Sequence, residues 1–152
     1  LKLNLGCADR PLPGFIGVDI CAPADQIADL NKPWPWPDSS VDEVMALDIV
    51  EHLPSKIHTM NELWRVLKPG ARVTIEVPSS TKGAGADQDP THVSRWNMNS
   101  FQYWEAGSFA LRRFAASYGI KAAFRVVSLG EREYMDAHEP VWKITAVLEA
   151  VK

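Results

Sequence analysis

Apolar positions in this chain come in short runs that close on glycine, proline or an acid. Residues 2–5 read as a buried strand ending at Gly6, and residues 15–19 as a second strand ending at Asp19. Between them Pro11, Pro13 and Gly14 forbid a crossover helix, so a compact loop is expected there. Residues 26–30 predict a short third strand with Asp29 near its end. The alternating prolines and tryptophans of residues 31–38 predict a rigid loop whose indoles, Trp34 and Trp36, cover a sheet edge. Residues 41–48 read as a central strand. Pro54 suits the first turn of a helix, and Ile57, Met60, Leu63, Trp64 and Leu67 recur at helical spacing. Lys68, Pro69 and Gly70 stop that helix. Residues 71–77 alternate as a β-branched strand that ends at Pro78.

Residues 79–96 form the longest stretch without periodicity, and loops of that length are usually functional or mobile. Asn99 or Ser100 is the expected N-cap of a helical region running to about Tyr118, with Gly119 as its stop. Two further strands are expected over residues 120–129 and 142–151, joined by residues 130–141. No linker, repeat or low-complexity tract interrupts the chain, so residues 1–152 are expected to form one domain.

Composition narrows the function classes. The chain is 46% hydrophobic and 23% charged, as in an ordinary globular protein, with a net charge of −3. That balance carries no clear nucleic-acid signature. No apolar run is long enough for a membrane span, and the start lacks the pattern of a signal peptide. Two cysteines, Cys7 and Cys21, make neither a disulfide framework nor a thiolate metal site. Reduced thiols in a cytoplasmic protein are the expectation.

The pair Gly6 and Asp19 is the first chemical signal. In open α/β sheets ligands bind just beyond the carboxyl ends of strands. A glycine there admits close backbone approach, and an acid at the neighbouring strand tip accepts hydrogen bonds from a ribose diol. A dinucleotide oxidoreductase would need G-x-G-x-x-G opening a helix. Here the stretch continues Cys7, Ala8, Asp9, Arg10, Pro11, and no helix follows.

Leu3-Asn4-Leu5-Gly6-Cys7 running on to Gly17-Val18-Asp19-Ile20 resembles the start of class I S-adenosylmethionine-dependent methyltransferases. Four later stretches extend the resemblance in order along essentially the whole chain. Asp29-Leu30 looks like the adenine-side acid of that family, and Leu47-Asp48-Ile49-Val50-Glu51-His52-Leu53 like its fourth-strand region. Glu62-Leu63-Trp64-Arg65-Val66-Leu67-Lys68-Pro69-Gly70 matches its passage into the fifth strand. Asp89-Pro90-Thr91-His92-Val93 is similar to a stretch in small bacterial members of the type 11 group. Two departures stand out: Ala8 occupies the place of the second glycine in the first motif, and a loop replaces the first crossover helix.

The resemblance implies a Rossmann-like fold with a mostly parallel seven-stranded sheet in the order 3-2-1-4-5-7-6, strand 7 antiparallel and strand ends 1 to 6 on one rim. It implies S-adenosylmethionine as cofactor and transfer of its methyl group to a small-molecule acceptor. The alternative is a non-catalytic binding or scaffold protein on the same fold. By resemblance Gly6, Cys7 and Ala8 line the methionine and ribose approach. Asp19 and Ile20 meet the ribose, Asp29 and Leu30 frame the adenine, and Asp48 lies under the sulfonium.

Methyl transfer from a sulfonium depends mostly on in-line approach, but an oxygen or nitrogen acceptor also calls for a general base, which points to histidine. The topology puts His52, His92 and His138 on the active rim, and leaves His58 exposed on the helix that follows the fourth strand. His52 and His92 are the catalytic candidates; a packing role for His52 and a lid hydrogen bond for His92 remain open. Asp89, His92 and His52 have metal-compatible chemistry, but without dense ligand spacing no metal is expected. Phe101, Tyr103, Trp104 and Tyr134 are candidate walls of an acceptor pocket.

Overall fold

Seven strands assemble into one sheet in the order β3-β2-β1-β4-β5-β7-β6, the order that the resemblance implies. The computed structural model describes residues 1–135 and 140–152. The strands are β1 (Lys2–Leu5), β2 (Ile16–Asp19), β3 (Gln26–Ile27), β4 (Val41–Leu47), β5 (Leu67–Gly83), β6 (Phe124–Met135) and β7 (Pro140–Ala150). The helices are α1 (Lys56–Val66), α2 (Gly85–Gln88) and α3 (Phe109–Tyr118). β1 to β5 run parallel, and β7 lies antiparallel between β5 and β6.

Strand alternation divides the sheet into two unlike faces. Leu3, Leu5, Val44, Ala46, Val73, Ile75, Val77, Ile144, Ala146 and Leu148 share one face and are buried. Met60, Leu63 and Val66 of α1 lie in the same core. The other face carries a row of alternating charge. Lys2 pairs across to Glu43, Glu43 stands opposite Arg72, Arg72 opposite Glu149, and Glu149 opposite Arg125. Lys2 reaches Glu43 at 2.8 Å and Arg72 reaches Glu149 at 3.2 Å. Parallel sheets normally carry helices on both faces. Here β1, β2 and β3 are each followed by a loop, and the uncovered face is charged to match.

The first of these loops is as compact as its prolines require. Cys7 N donates to Val18 O, Arg10 N to Cys7 O and Phe15 N to Leu12 O, so the turns satisfy their own backbone. The proline–tryptophan loop does more than cover an edge. Trp34 and Trp36 are core residues in edge-to-face contact, 5.8 Å between centroids. Arg65 of α1 ties the loop down. Its Nη1 donates to Trp36 O and Asp38 Oδ1, both at 2.8 Å, while Nη2 reaches Trp34 O at 3.1 Å and Glu62 Oε2 at 2.7 Å. A lysine cannot reproduce this fork. Arg65→Lys is therefore expected to lower stability by about 1–3 kcal/mol in urea denaturation. An unchanged midpoint would mean that indole burial alone holds the loop.

Several boundaries differ from the sequence reading. The third strand stops at Ile27, because Asp29 opens a turn in which Lys32 N donates to Asp29 O. Pro54 precedes the N-cap Ser55 and lies outside the first turn of α1. His58 is half-buried, with Nε2 3.0 Å from Lys32 O. Residues 79–96 are not wholly irregular, since β5 continues to Gly83 and α2 follows. The helix expected over 99–118 is two pieces. A 3-10 segment, Met98–Tyr103, is capped by Asn97 with Ser100 as the reciprocal partner, and Ser108 caps α3. The last two strands are shifted to Phe124–Met135 and Pro140–Ala150, so much of the expected 130–141 connection is paired strand.

Candidate functional site

The carboxyl ends of β1 and β2 build a small corner. After Leu5 the chain turns at Gly6 with φ 64°. A Cβ at Gly6 would lie 2.7 Å from Ile49 Cβ and Cγ1, so only glycine fits this turn. At the tip of β2, Asp19 Oδ2 accepts from Ala8 N at 2.9 Å and Oδ1 from Ile20 N at 2.7 Å. Both carboxylate oxygens are thereby oriented while keeping lone pairs to offer. Asp29 Oδ1 accepts from the backbone and side-chain nitrogens of Asn31. Those bonds hold its carboxyl below the usual range. Gly6, Asp19, Ile20, Asp29 and Leu30 line one cavity of about 170 Å³, together with Ile49 and His52.

Cys7 and Ala8 do not line that cavity, although Cys7 shares a separate cavity with Gly6. Both line a cleft on the Gly17 and Asp25 side of the loop. The Cys7 sulfur packs behind β2, where a Cβ at Gly17 would lie 2.9 Å from it, and burial pushes its thiol up. What Ala8 contributes is its backbone N–H to Asp19, made from a left-handed conformation with φ 45°. An L-residue pays about 1–2 kcal/mol there, against about 0.4–1 kcal/mol for the extra unfolded-state freedom of glycine. Ala8→Gly is thus expected to raise stability by up to about 1 kcal/mol. A lowered melting temperature would contradict that reading of the strain.

An open cleft of about 460 Å³ adjoins this corner. Asp48 follows β4 with φ 53°, its N–H donating to Glu76 O at 2.9 Å. Lys143 of β7 donates to Asp48 Oδ2 at 2.6 Å and to Glu76 Oε1 at 3.2 Å, and Tyr134 O–H donates to Glu76 Oε2 at 3.1 Å. Burial pulls the Lys143 ammonium down, but hydrogen bonding and charge from Asp48 and Glu76 outweigh it and leave the group above its ordinary value. Glu51, His52, Asp89 and His92 complete the polar side of the cleft. His52 lines both cavities.

The two histidines are held by one united piece of backbone. Val93 N and Ser94 N both donate to Glu51 O at 2.9 Å, and Ser94 Oγ donates to Val50 O at 2.9 Å. The loop that carries His92 is therefore fastened to the 3-10 turn Val50–His52. Thr91 Oγ1 donates to Asp89 Oδ1 at 2.6 Å, which holds that carboxyl below its usual range. With its one proton committed, the hydroxyl accepts from His52 Nδ1 at 2.9 Å. The lone pair of His52 then sits on Nε2. Glu51 is buried, and burial pushes its carboxyl up to about 8.

The structure thus gathers Gly6, Asp19, Ile20, Asp29 and Leu30 with His52, and Asp48 and His92 with His52 in the adjoining cleft. Cys7 and Ala8 are not among them, and His138 lies outside the described residues. Of the expected pocket walls, Tyr134 lines the cleft, whereas Phe101 and Trp104 belong to the core and Tyr103 lies apart beside Tyr118. The sequence reading missed Ile49, Lys143 and Glu76, and it used Glu51 only as part of a motif. Lys143 had one signal, a lone cation inside the apolar alternation of β7. No helix among the described residues is long and apolar enough to cross a membrane.

Residues 14–75 match the family described as Methyltransferase domain. A 63-residue stretch is 38% identical to 27-O-demethylrifamycin SV methyltransferase of Amycolatopsis mediterranei (strain S699), covering 39% of this chain and 22% of that protein. The match thus spans less than a quarter of the curated relative's length. Among solved structures, a SAM-dependent methyltransferase from Archaeoglobus fulgidus is similar at TM-score 0.65 and 16% identity, over 97% of this chain and 85% of that one. A methyltransferase in complex with the Haloferax volcanii Trm112 methyltransferase activator is similar at TM-score 0.66 and 16% identity, over 99% and 82%. At these identities the structural likeness is one of fold.

Proposed function

We propose that this protein, whose residues 14–75 match the methyltransferase domain family and whose fold is that of class I S-adenosylmethionine-dependent methyltransferases, methylates an oxygen of a small-molecule acceptor. The observation that carries the reading is the meeting of two cavities at His52, one lined by Gly6, Asp19 and Asp29 and one open and polar. S-adenosylmethionine is the cofactor of this class, and when bound it supplies a methyl group already activated on a sulfonium. The residues fit it: Gly6 lines the cavity where Ile49 leaves no room for a Cβ, and Asp19 presents an oriented carboxylate.

Each residue then has a task. Gly6 and Ile49 admit the ribose edge, Asp19 and the Ile20 backbone receive its hydroxyls, and Asp29 and Leu30 frame the base. Asp48, held by Lys143, faces the cationic part of the cofactor. The acceptor lies in the cleft against His52 and His92. The free lone pair of His52 Nε2 suits it to take a hydroxyl proton, and the Thr91–Asp89 pair steadies the imidazolium that results. The curated relative's name describes O-methylation, which agrees with an oxygen acceptor here.

Calorimetry with S-adenosylmethionine tests the reading at its root. Micromolar binding is expected. Millimolar or absent binding by folded protein would overturn it. With a panel of hydroxylated small molecules, release of S-adenosylhomocysteine should depend on His52, and His52→Ala should lower turnover while cofactor affinity stays within about twofold.

A further inference from the structure

Glu51 is 2% exposed, and neither carboxylate oxygen has a hydrogen-bond partner among the described residues. A buried polar group left without a partner costs roughly 1–3 kcal/mol, and one on this scale calls for an explanation. Its surroundings offer one. His92 Nε2 lies 3.9 Å from Glu51 Oε1 and 3.9 Å from Asp89 Oδ2, while His92 Nδ1 is buried and also unpartnered. The His92 ring meets the His52 ring edge-to-face, 4.8 Å between centroids. One donor atom from each of Glu51, His52 and His92 falls within 4.8 Å of the other two. These residues come from two segments that the Val93, Ser94 and Val50 hydrogen bonds fasten into one body.

We propose that Glu51, His52 and His92 bind a divalent first-row transition-metal ion, with its remaining coordination positions open to the cleft. Two imidazoles and a carboxylate form a donor set suited to zinc, cobalt or iron rather than to magnesium or calcium. At zinc–nitrogen distances near 2.0–2.1 Å, tetrahedral donors stand about 3.4 Å apart. The donors therefore need to draw in by up to about 1.4 Å at the widest pair, a movement within reach of side-chain rotation. Ion binding displaces the Glu51 proton and gives its oxygens the partner they lack. Thr91 already orients the first of the two imidazoles from behind, as outer-shell partners of metal ligands do.

The position gives the ion a use. Asp48 and the three donors line the same cleft, so an acceptor oxygen there can take an open coordination position, and a hydroxyl bound to such an ion releases its proton more readily. In the ion-bound protein the two rings would act on the acceptor through the cation, and the free His52 ring would do that work alone only without it. This use rests on the methyltransferase reading; the binding itself does not.

The test is titration of the chelator-treated protein with Co²⁺, followed by visible absorption, and with Zn²⁺, followed by calorimetry. One ion per chain is expected, with the intense d–d band of a low-coordinate histidine site. Glu51→Gln, His52→Ala and His92→Ala should each weaken binding by at least about tenfold, whereas His58→Ala should leave it unchanged. If Glu51→Gln does not fold, the two histidine variants carry the same test. Binding that is absent, or that survives all three substitutions, overturns the inference. S-adenosylmethionine affinity is measured on the same samples: ion binding without cofactor binding refutes the methyltransferase reading alone, and cofactor binding without ion binding refutes the metal site alone.

Discussion

Gly6→Ala is expected to weaken S-adenosylmethionine binding by about 100-fold and to destabilise the fold. Two costs combine. The residue keeps φ 64°, where an L-side chain loses about 1–2 kcal/mol. Its Cβ would also sit 2.7 Å from Ile49 Cβ, an atom that no rotamer change can move aside. Overpacking of this kind costs about 1–3 kcal/mol, so the turn must shift. Because Gly6 and Ile49 line the same cavity as Asp19, the shift falls on the corner proposed for the cofactor. Each 1.4 kcal/mol is about tenfold in affinity, so a loss of about 100-fold is expected by calorimetry. Gly14 is the control. It too has positive φ, but a Cβ there meets nothing within 4 Å, so Gly14→Ala should cost strain alone and keep binding. Equal affinities for the two variants would refute this role for Gly6.

This corner was legible in the sequence because its signals are local. A strand, a glycine and an acid at the next strand tip are all declared within the first twenty residues. The missing first helix was just as legible, since Pro11, Pro13 and Gly14 act on their own backbone. What escaped was set by distant partners. The helical region broke because Glu105 bridges to Phe124 and Gly107 turns at φ 81°, and no periodicity of residues 99–118 announces that bridge. Lys143 meets Asp48 across 95 positions.

Glu51 shows the limit most clearly. Next to His52 on a rim it looks like one more solvated acid. Its burial arises only when residues 89–94 fold over the Val50–His52 turn and donate two backbone N–H groups to the Glu51 carbonyl. The donor set of Glu51, His52 and His92 therefore lacks the close spacing from which metal sites are read in a sequence. Ligand spacing along the chain speaks only for local motifs, and the proposed donor set is gathered by a loop.

Asp19→Ala is expected to weaken S-adenosylmethionine binding by about 100-fold while leaving the fold intact. Hydrogen bonds to a charged group are worth about 1.5–3 kcal/mol each, and a ribose diol makes two with one carboxylate. The carboxylate also organises its own surroundings, since Ala8 N and Ile20 N both point at it. Asp19→Asn separates these roles. Its amide nitrogen cannot accept, so one of the two backbone N–H groups loses its partner and the diol keeps a single, uncharged acceptor. A loss of about tenfold is expected for Asn. Both backbone groups lie at a solvent-accessible turn, where water replaces the lost partner at small cost, so melting temperatures should barely move. Adenosine should show the same ranking as the full cofactor, since the diol is common to both. If instead melting temperature falls and cofactor affinity holds, Asp19 is a clamp for the Ala8 turn, and the ribose must be received elsewhere.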